Sequence, residues 1–248
     1  MNLRKLIFTN NNCYKAGKKI TPKGIMVHST AANNPNLKRY VGPDDGLLGE
    51  NRYKNYWNVA KPDGKEKCCH AFIGKLADGS IATYQVLPWN HRGWHCGQGS
   101  KGSGNDTLIG FEICEDGLNN KAYFEKVYKE AVELCVYLCQ LYGLTEKNII
   151  DHSEGHKQGI ASNHGDVMHW FPKFGKSMDT FRADVKAGLL GNKSTASAAT
   201  TTVKTIYRVF DETGKQIGAF SVAENAINMA RKQLAAGKNV KIEVIKKG

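Results

Sequence analysis

The 248-residue chain contains no apolar run long enough to cross a bilayer. Its opening residues, MNLRKLIFTNNNC, lack the apolar stretch of a secretory leader, so synthesis in the cytoplasm without a signal peptide and without membrane insertion is expected. Any role outside the cell would then need a separate release route. The seven cysteines (Cys13, Cys68, Cys69, Cys96, Cys114, Cys135 and Cys139) are odd in number and never stand in CxxC spacing. That argues against a disulfide framework and against an all-thiolate zinc site. Cys135 and Cys139 lie four apart on an apolar helical face and read as small core residues. There is also no basic run interleaved with aromatics, so nucleic acid is not an expected partner.

What is present is a hydrophobic fraction of 41%, enough for a real core, and a net charge of +12. Such a surface favours polyanions: nucleic acid, anionic lipid, or the phosphate polymers of a bacterial wall. The Ser/Thr/Ala-rich stretch GNKSTASAATTTVKT, residues 191–205, has no apolar periodicity and reads as a linker. It separates a large domain, residues 1–190, from a small one, residues 206–248. In the large domain KGIMVHST reads as an apolar strand ending at His28 and Ser29, and CCHAFIGKLADGSIATYQV as a hairpin turning at Asp78-Gly79. TLIGFEICE reads as another buried strand. A helix is expected over residues 123–142, with Val127, Ala131, Leu134, Cys135, Leu138 and Leu141 on its buried face and Gly143 as its cap. NIIDHSE follows as a strand. Alternating strands and helix predict an α/β class with a mixed central sheet flanked by helices.

The small domain reads as ββαβ. A hairpin turns at Thr213-Gly214, and a helix begins at a Ser221/Glu224 capping box with Ala223, Ala226, Ile227, Ala230 and Leu234 as its buried stripe. A last alternating strand, VKIEVI, completes it. Its basic residues outnumber its acids and it carries no catalytic cluster.

Four of the eight histidines fall within residues 151–171, DHSEGHKQGIASNHGDVMHWF. Imidazole and carboxylate are the usual ligands of zinc, and a hydrolytic site needs three protein ligands and one open position. His28 and His152, at expected strand ends, supply two. Asp166, His156, His164 and His169 compete for the third place, and spacing alone leaves that choice open. Glu112, in the apolar strand IGFEICE, would have its pKa raised by burial into the range of a general base; strand alternation could equally turn it to solvent. PWNHRGWHCGQGS, with Trp89, Trp94, His91 and His95, suggests a loop that presses aromatic faces against a ligand such as a sugar.

These elements, in this order, resemble the zinc-dependent N-acetylmuramoyl-L-alanine amidases of type 2, which share a fold with the peptidoglycan recognition proteins. The resemblance is carried by IMVHST, CCHAFIG, RGWHCGQG, TLIGFEIC and IIDHSEGH, which together span roughly residues 23–171. It is greatest toward phage endolysins directed at Gram-positive hosts, especially clostridia. It implies zinc held at strand ends by His28, His152 and Asp166. It also implies Glu112 as the group that deprotonates water, and His164 in the oxyanion-stabilising place two residues before the third ligand, where the family often has Lys. The segment between His152 and Asp166 is longer than the family's, and a shifted register would make His164 the ligand instead.

The implied reaction is hydrolysis of the amide between N-acetylmuramic acid and L-alanine in peptidoglycan. An endolysin of this kind would reach the wall after release through a holin and be bacteriolytic. Tyr53, Tyr56 and Trp57 are candidates to line the peptide groove. The small domain is expected to bind the cell wall, with anionic wall polymers contributing; an oligomerisation module is the alternative for it. For the whole chain the competing expectation is a non-catalytic peptidoglycan recognition module, which would have a broken ligand set.

Overall fold

The computed structural model describes residues 1–198, 204–220, 226, 229–230, 233–234 and 237–247. The chain forms two compact units, Met1–Gly191 and Asn192–Gly248.

The first unit is built on a six-stranded mixed sheet. Its strands are β1 (Leu3–Lys5), β2 (Gly24–Ser29), β3 (Ala71–Lys75), β4 (Ile81–Gln85), β5 (Leu108–Ile113) and β6 (Ile149–Asp151), in the order β1-β4-β3-β5-β2-β6. Only the β3–β4 hairpin is antiparallel. Its turn carries Gly79 at φ 81°, the left-handed geometry that Asp78-Gly79 predicts. Four helices accompany the sheet: α1 (Asn12–Lys15), α2 (Lys121–Tyr142), α3 (His152–Lys157) and α4 (Met178–Ala198).

Side chains alternate across a strand, so each buried strand serves two cores. On one face Ile25, Val27, Ile109, Phe111 and Ile113 pack with Phe124, Val127, Ala131, Leu134, Cys135 and Leu138 of α2. Phe181 and Val185 of α4 complete that core. On the other face Phe72, Ala82 and Tyr84 pack with Phe8, Leu37, Tyr40 and Leu48, while Met26 and Leu108 meet Cys96 and Ala161. His28 and Glu112 continue the even-numbered register of Met26 and Leu108. They leave the sheet on this second face, opposite α2.

Helix α2 begins where Asn120 accepts the Tyr123 N–H and ends at Gly143, φ 65°. The expected buried face is present except at Leu141, which is 49% exposed in the last turn. Helix α4 was not anticipated. Ser177 Oγ accepts the Thr180 N–H at its start, and its backbone runs on to Ala198, within the stretch read as linker.

In the second unit β7 (Lys204–Asp211), β8 (Gln216–Phe220) and β9 (Val240–Lys247) form an antiparallel sheet in the order β8-β7-β9. Gly214 holds the hairpin turn at φ 79°. Residues 226, 229–230 and 233–234 are helical; Ala226 and Ala230 are buried, whereas Leu234 is 56% exposed rather than part of a buried stripe. The expected Ser221/Glu224 box, Ala223 and Ile227 lie outside the described residues. Among the described residues no helix is long and apolar enough to cross a membrane.

Candidate metal centre

His28 stands near the end of β2 and is 1% exposed. Its register partner across the β2–β5 ladder is Glu112. His152 lies one residue beyond β6, where the strand gives way to α3. That transition is a reciprocal cap. Asp151 Oδ1 accepts the Glu154 N–H at 2.6 Å, and Glu154 Oε2 accepts the Asp151 N–H at 3.2 Å. Arg182 of α4 grips the same Glu154 carboxylate through both guanidinium nitrogens, at 2.8 and 3.0 Å, and donates to the Ile149 carbonyl. A bidentate pair of this kind fixes orientation as well as charge, so the backbone that carries His152 is held from two sides.

Asp166 opens a short 3-10 turn, Asp166–His169, and has φ 43°. A non-glycine residue in the left-handed region costs of order 1 kcal/mol or more and persists only where its surroundings hold it. Here the surroundings include Glu115, 3% exposed, which accepts from His169 Nε2 at 3.0 Å and from the Ala31 N–H at 3.1 Å. One buried carboxylate thereby ties the turn bearing Asp166 to the segment just past His28.

Three donor atoms converge. His28 Nδ1 and His152 Nδ1 are 3.2 Å apart, and Asp166 Oδ2 lies 3.5 Å from the first and 2.7 Å from the second. A tetrahedral zinc with bonds of ~2.0–2.1 Å sets its ligands about 3.3 Å apart, so these separations suit one ion. Asp166 Oδ2 is sealed from solvent and has no hydrogen-bond partner, so its lone pair is available to a cation. The two-imidazole, one-carboxylate set is a zinc-type donor set.

The electrostatics agree with that arrangement. Burial opposes the Asp166 charge, but the facing imidazoles of His152 and His28 outweigh it and hold the carboxyl well below the usual carboxylate range. Burial lowers the His28 pKa despite Asp166, which favours the neutral ring that metal binding requires. Burial pushes Glu112 far above the ordinary Glu value, and the negative charges of Asp166 and Glu115 push it further. Its Oε2 is enclosed and has no partner.

Among the four residues competing for the third ligand place, Asp166 is the one set against His28 and His152. His164 is exposed, with its ring 4.8 Å from that of His152 and its Nδ1 3.1 Å from Ser162 Oγ. His156 turns back to the Ala161 carbonyl at 3.2 Å, and His169 serves Glu115. The aromatic expectations divide. Trp89 is 7% exposed and stacks on His70, a core role. Trp94 lies under Arg92 and lines a cavity of about 200 Å³ with Cys13, Lys18 and Glu66. Trp57 packs edge-on against Phe72 and belongs to the core margin, and Tyr56 packs against the Cα of Gly42. Tyr53, 88% exposed, lines a cavity of about 580 Å³ with Asn34, Asn36, Lys38 and Arg52. The residues that sequence reasoning missed are the supports: Glu115, Arg182, Ser162 and the contact of His95 with His28. Only the D-x-x-E spacing of DHSE signalled any of this in advance.

Residues 18–167, more than half of the chain, match the family described as N-acetylmuramoyl-L-alanine amidase, Amidase_2. A probable N-acetylmuramoyl-L-alanine amidase of Bacillus licheniformis is 28% identical over 185 residues, covering 74% of this chain and 46% of that protein. The chain spans less than half the length of the curated relatives it matches. The catalytic domain of XlyA is similar in structure with a TM-score of 0.50 and 26% identity, covering 75% of this chain and 99% of that domain. PlyL has the same fold with a TM-score of 0.52 at 20% identity, covering 75% of this chain and 96% of that one.

Proposed function

Since the chain belongs to the N-acetylmuramoyl-L-alanine amidase family, we propose that it hydrolyses the amide joining the lactyl group of N-acetylmuramic acid to L-alanine, with zinc held by His28, His152 and Asp166. The observation that carries this reading is the convergence of His28 Nδ1, His152 Nδ1 and the orphaned Asp166 Oδ2, with Glu112 on the neighbouring strand. When bound, zinc supplies Lewis-acid polarisation of the scissile carbonyl and lowers the pKa of a water to about 7.

The chain's own groups do the rest. Glu112 Oε2 takes a proton from the attacking water as its oxygen bonds to the carbonyl carbon. It returns that proton to the leaving nitrogen as the C–N bond breaks, so the products are the lactyl carboxylic acid, whose remaining water proton then passes to solvent or to the amine, and a free alanine amino terminus. Burial and the neighbouring carboxylates raise its pKa, which makes it a stronger proton acceptor than an ordinary carboxylate. His164, exposed beside His152, is in reach of a substrate and supplies a donor to the carbonyl oxygen as negative charge develops there.

We read the chain as an endolysin, phage-derived, that reaches the wall through a holin and is bacteriolytic, with the second unit binding the wall. Its net charge of +12 favours anionic wall polymers as an added attraction. The direct test is to digest purified Gram-positive walls with and without a chelator, then assay new alanine amino termini and new reducing sugars. Chelator-sensitive release of amino-terminal alanine alone is the expected result. Binding to walls with no new termini would mean a recognition module instead.

A further inference from the structure

We propose that His95 is a positioning residue for the metal centre: it fixes His28 in the tautomer that turns an unprotonated Nδ1 toward His152 and Asp166. The proposal rests on the zinc reading above and assigns to this chain a supporting group outside the ligand set.

The argument starts from a backbone carbonyl. His95 Nε2 lies 3.3 Å from the Leu108 carbonyl oxygen, which can only accept, so the His95 proton sits on Nε2. His95 Nδ1 is therefore an acceptor. It lies 3.0 Å from His28 Nε2, which must then carry the His28 proton. A neutral imidazole has one N–H, so His28 Nδ1 is left bare, and Nδ1 is the atom that faces His152 and Asp166. The polarity of the whole relay is set by one carbonyl on β5.

The seat of His95 is built for the ring. A Cβ on Gly110 would fall 2.3 Å from His95 Nδ1 and 2.4 Å from its Cγ, and one on Gly93 would meet the ring at 3.2 Å. The ring therefore occupies side-chain space that β5 leaves open at Gly110. Buried Asn105 accepts the His95 backbone N–H at 2.7 Å, and its own amide is spent on Gly97 and Ser103. His70, fully buried, accepts the Gly110 N–H and reaches the His91 carbonyl, joining the strand to the loop that bears His95. An imidazole held this tightly with one acceptor atom aimed at a ligand's far nitrogen is an outer-shell support, whose loss typically costs about 10–100-fold in metal affinity.

The experiment measures zinc affinity of the full chain by competition with a chromophoric chelator, for the parent and for His28→Ala, His95→Phe and His95→Gln. The parent should bind one zinc and His28→Ala none. His95→Phe, which keeps the ring shape and removes both nitrogens, should bind about 10–100-fold more weakly. His95→Gln, which can accept from His28 and donate to Leu108, should recover most of that loss. If His95→Phe binds as tightly as the parent, or His95→Gln is as weak as His95→Phe, the proposal is overturned. If the parent takes no zinc, it is the metal-site reading that fails. Should His95→Phe not fold, ¹⁵N imidazole spectra of the unsubstituted metal-free chain decide the matter. Protons on Nε2 of both His28 and His95 are expected, and a His28 proton on Nδ1 would refute the relay.

Discussion

Glu112 and His28 are register partners on adjacent parallel strands, so both side chains rise from the same face of the sheet. The pairing sets a carboxylate beside a ligand of the candidate metal centre without either residue belonging to a loop. Rigid strands hold such a pair within the tolerance that catalysis needs better than loop tips do.

Replacing Glu112 by Gln should leave zinc content at one equivalent and abolish most turnover, because an amide cannot take the water's proton. General acid–base groups contribute typically ~10²–10⁴-fold, so release of alanine amino termini should fall by about that factor. A loss smaller than about fivefold would remove Glu112 from the proton path.

The same substitution should stabilise the metal-free chain, with a definite sign in pH. Glu112 has a folded pKa above its ordinary value, so between the two values the folded chain holds a proton that the unfolded chain releases. Its contribution to stability is greatest below the ordinary value, near 4.5, and is lost as pH rises through the folded pKa. Urea midpoints in a chelator should therefore coincide for parent and Glu112→Gln near pH 4.5 and separate at pH 8 in favour of the variant. Coincidence at both values would mean that the carboxyl is not shielded in the folded chain.

Zinc removal should lower the thermal midpoint, since a ligand that binds only the folded state stabilises it by mass action, about 2.7 kcal/mol at a hundred times its dissociation constant. His28→Ala and Asp166→Ala should each lose both zinc and this chelator response. A full equivalent of zinc in Asp166→Ala would move the third ligand to His164.

The second unit should tether the enzyme to walls. A chain ending at Gly191 keeps the whole first unit and should cleave soluble wall fragments at an undiminished rate while lysing whole cells more slowly. A fluorescent fusion of residues 203–248 should decorate host cells, and less so in high salt as the charges are screened. Dark cells, combined with conversion of an oligomer to a monomer on truncation, would identify an assembly module instead.

What the sequence made legible was what depends on local periodicity. The apolar run before His28 and the alternation through Glu112 were enough to predict two strands, and the 3.6-residue repeat from Val127 to Leu138 a helix. Gly79, Gly143 and Gly214 each sit at positive φ where turn or cap chemistry required it. What stayed hidden depends on tertiary partners. Leu141 fits the helical stripe yet is half exposed, because periodicity alone does not say which positions find a partner. His152 reads as a continuing strand because the Asp151–Glu154 cap competes with an apolar run, and the cap wins once Arg182 neutralises Glu154. Spacing alone left Asp166 level with three histidines and only the resemblance favoured it, because what sets it against His28 and His152 is a reversal of the chain at φ 43°. His95 was noticed only as part of an aromatic loop, because its partner His28 is 67 residues away.

The family match ends at Val167, yet the fold does not. Trp170, Phe171, Phe181 and Val185 fill the same core as the central strands, and Arg182 grips Glu154 beside His152. For anyone building chimaeras from this chain, the exchangeable unit is therefore longer than the homology that defines it. A splice at the homology boundary would bare the underside of the sheet and release the segment that carries His152, and the product would fail as a protein before its chemistry could be judged. The natural seam lies past Leu189, the last residue of α4 packed on that core, at the Gly191 boundary of the first unit.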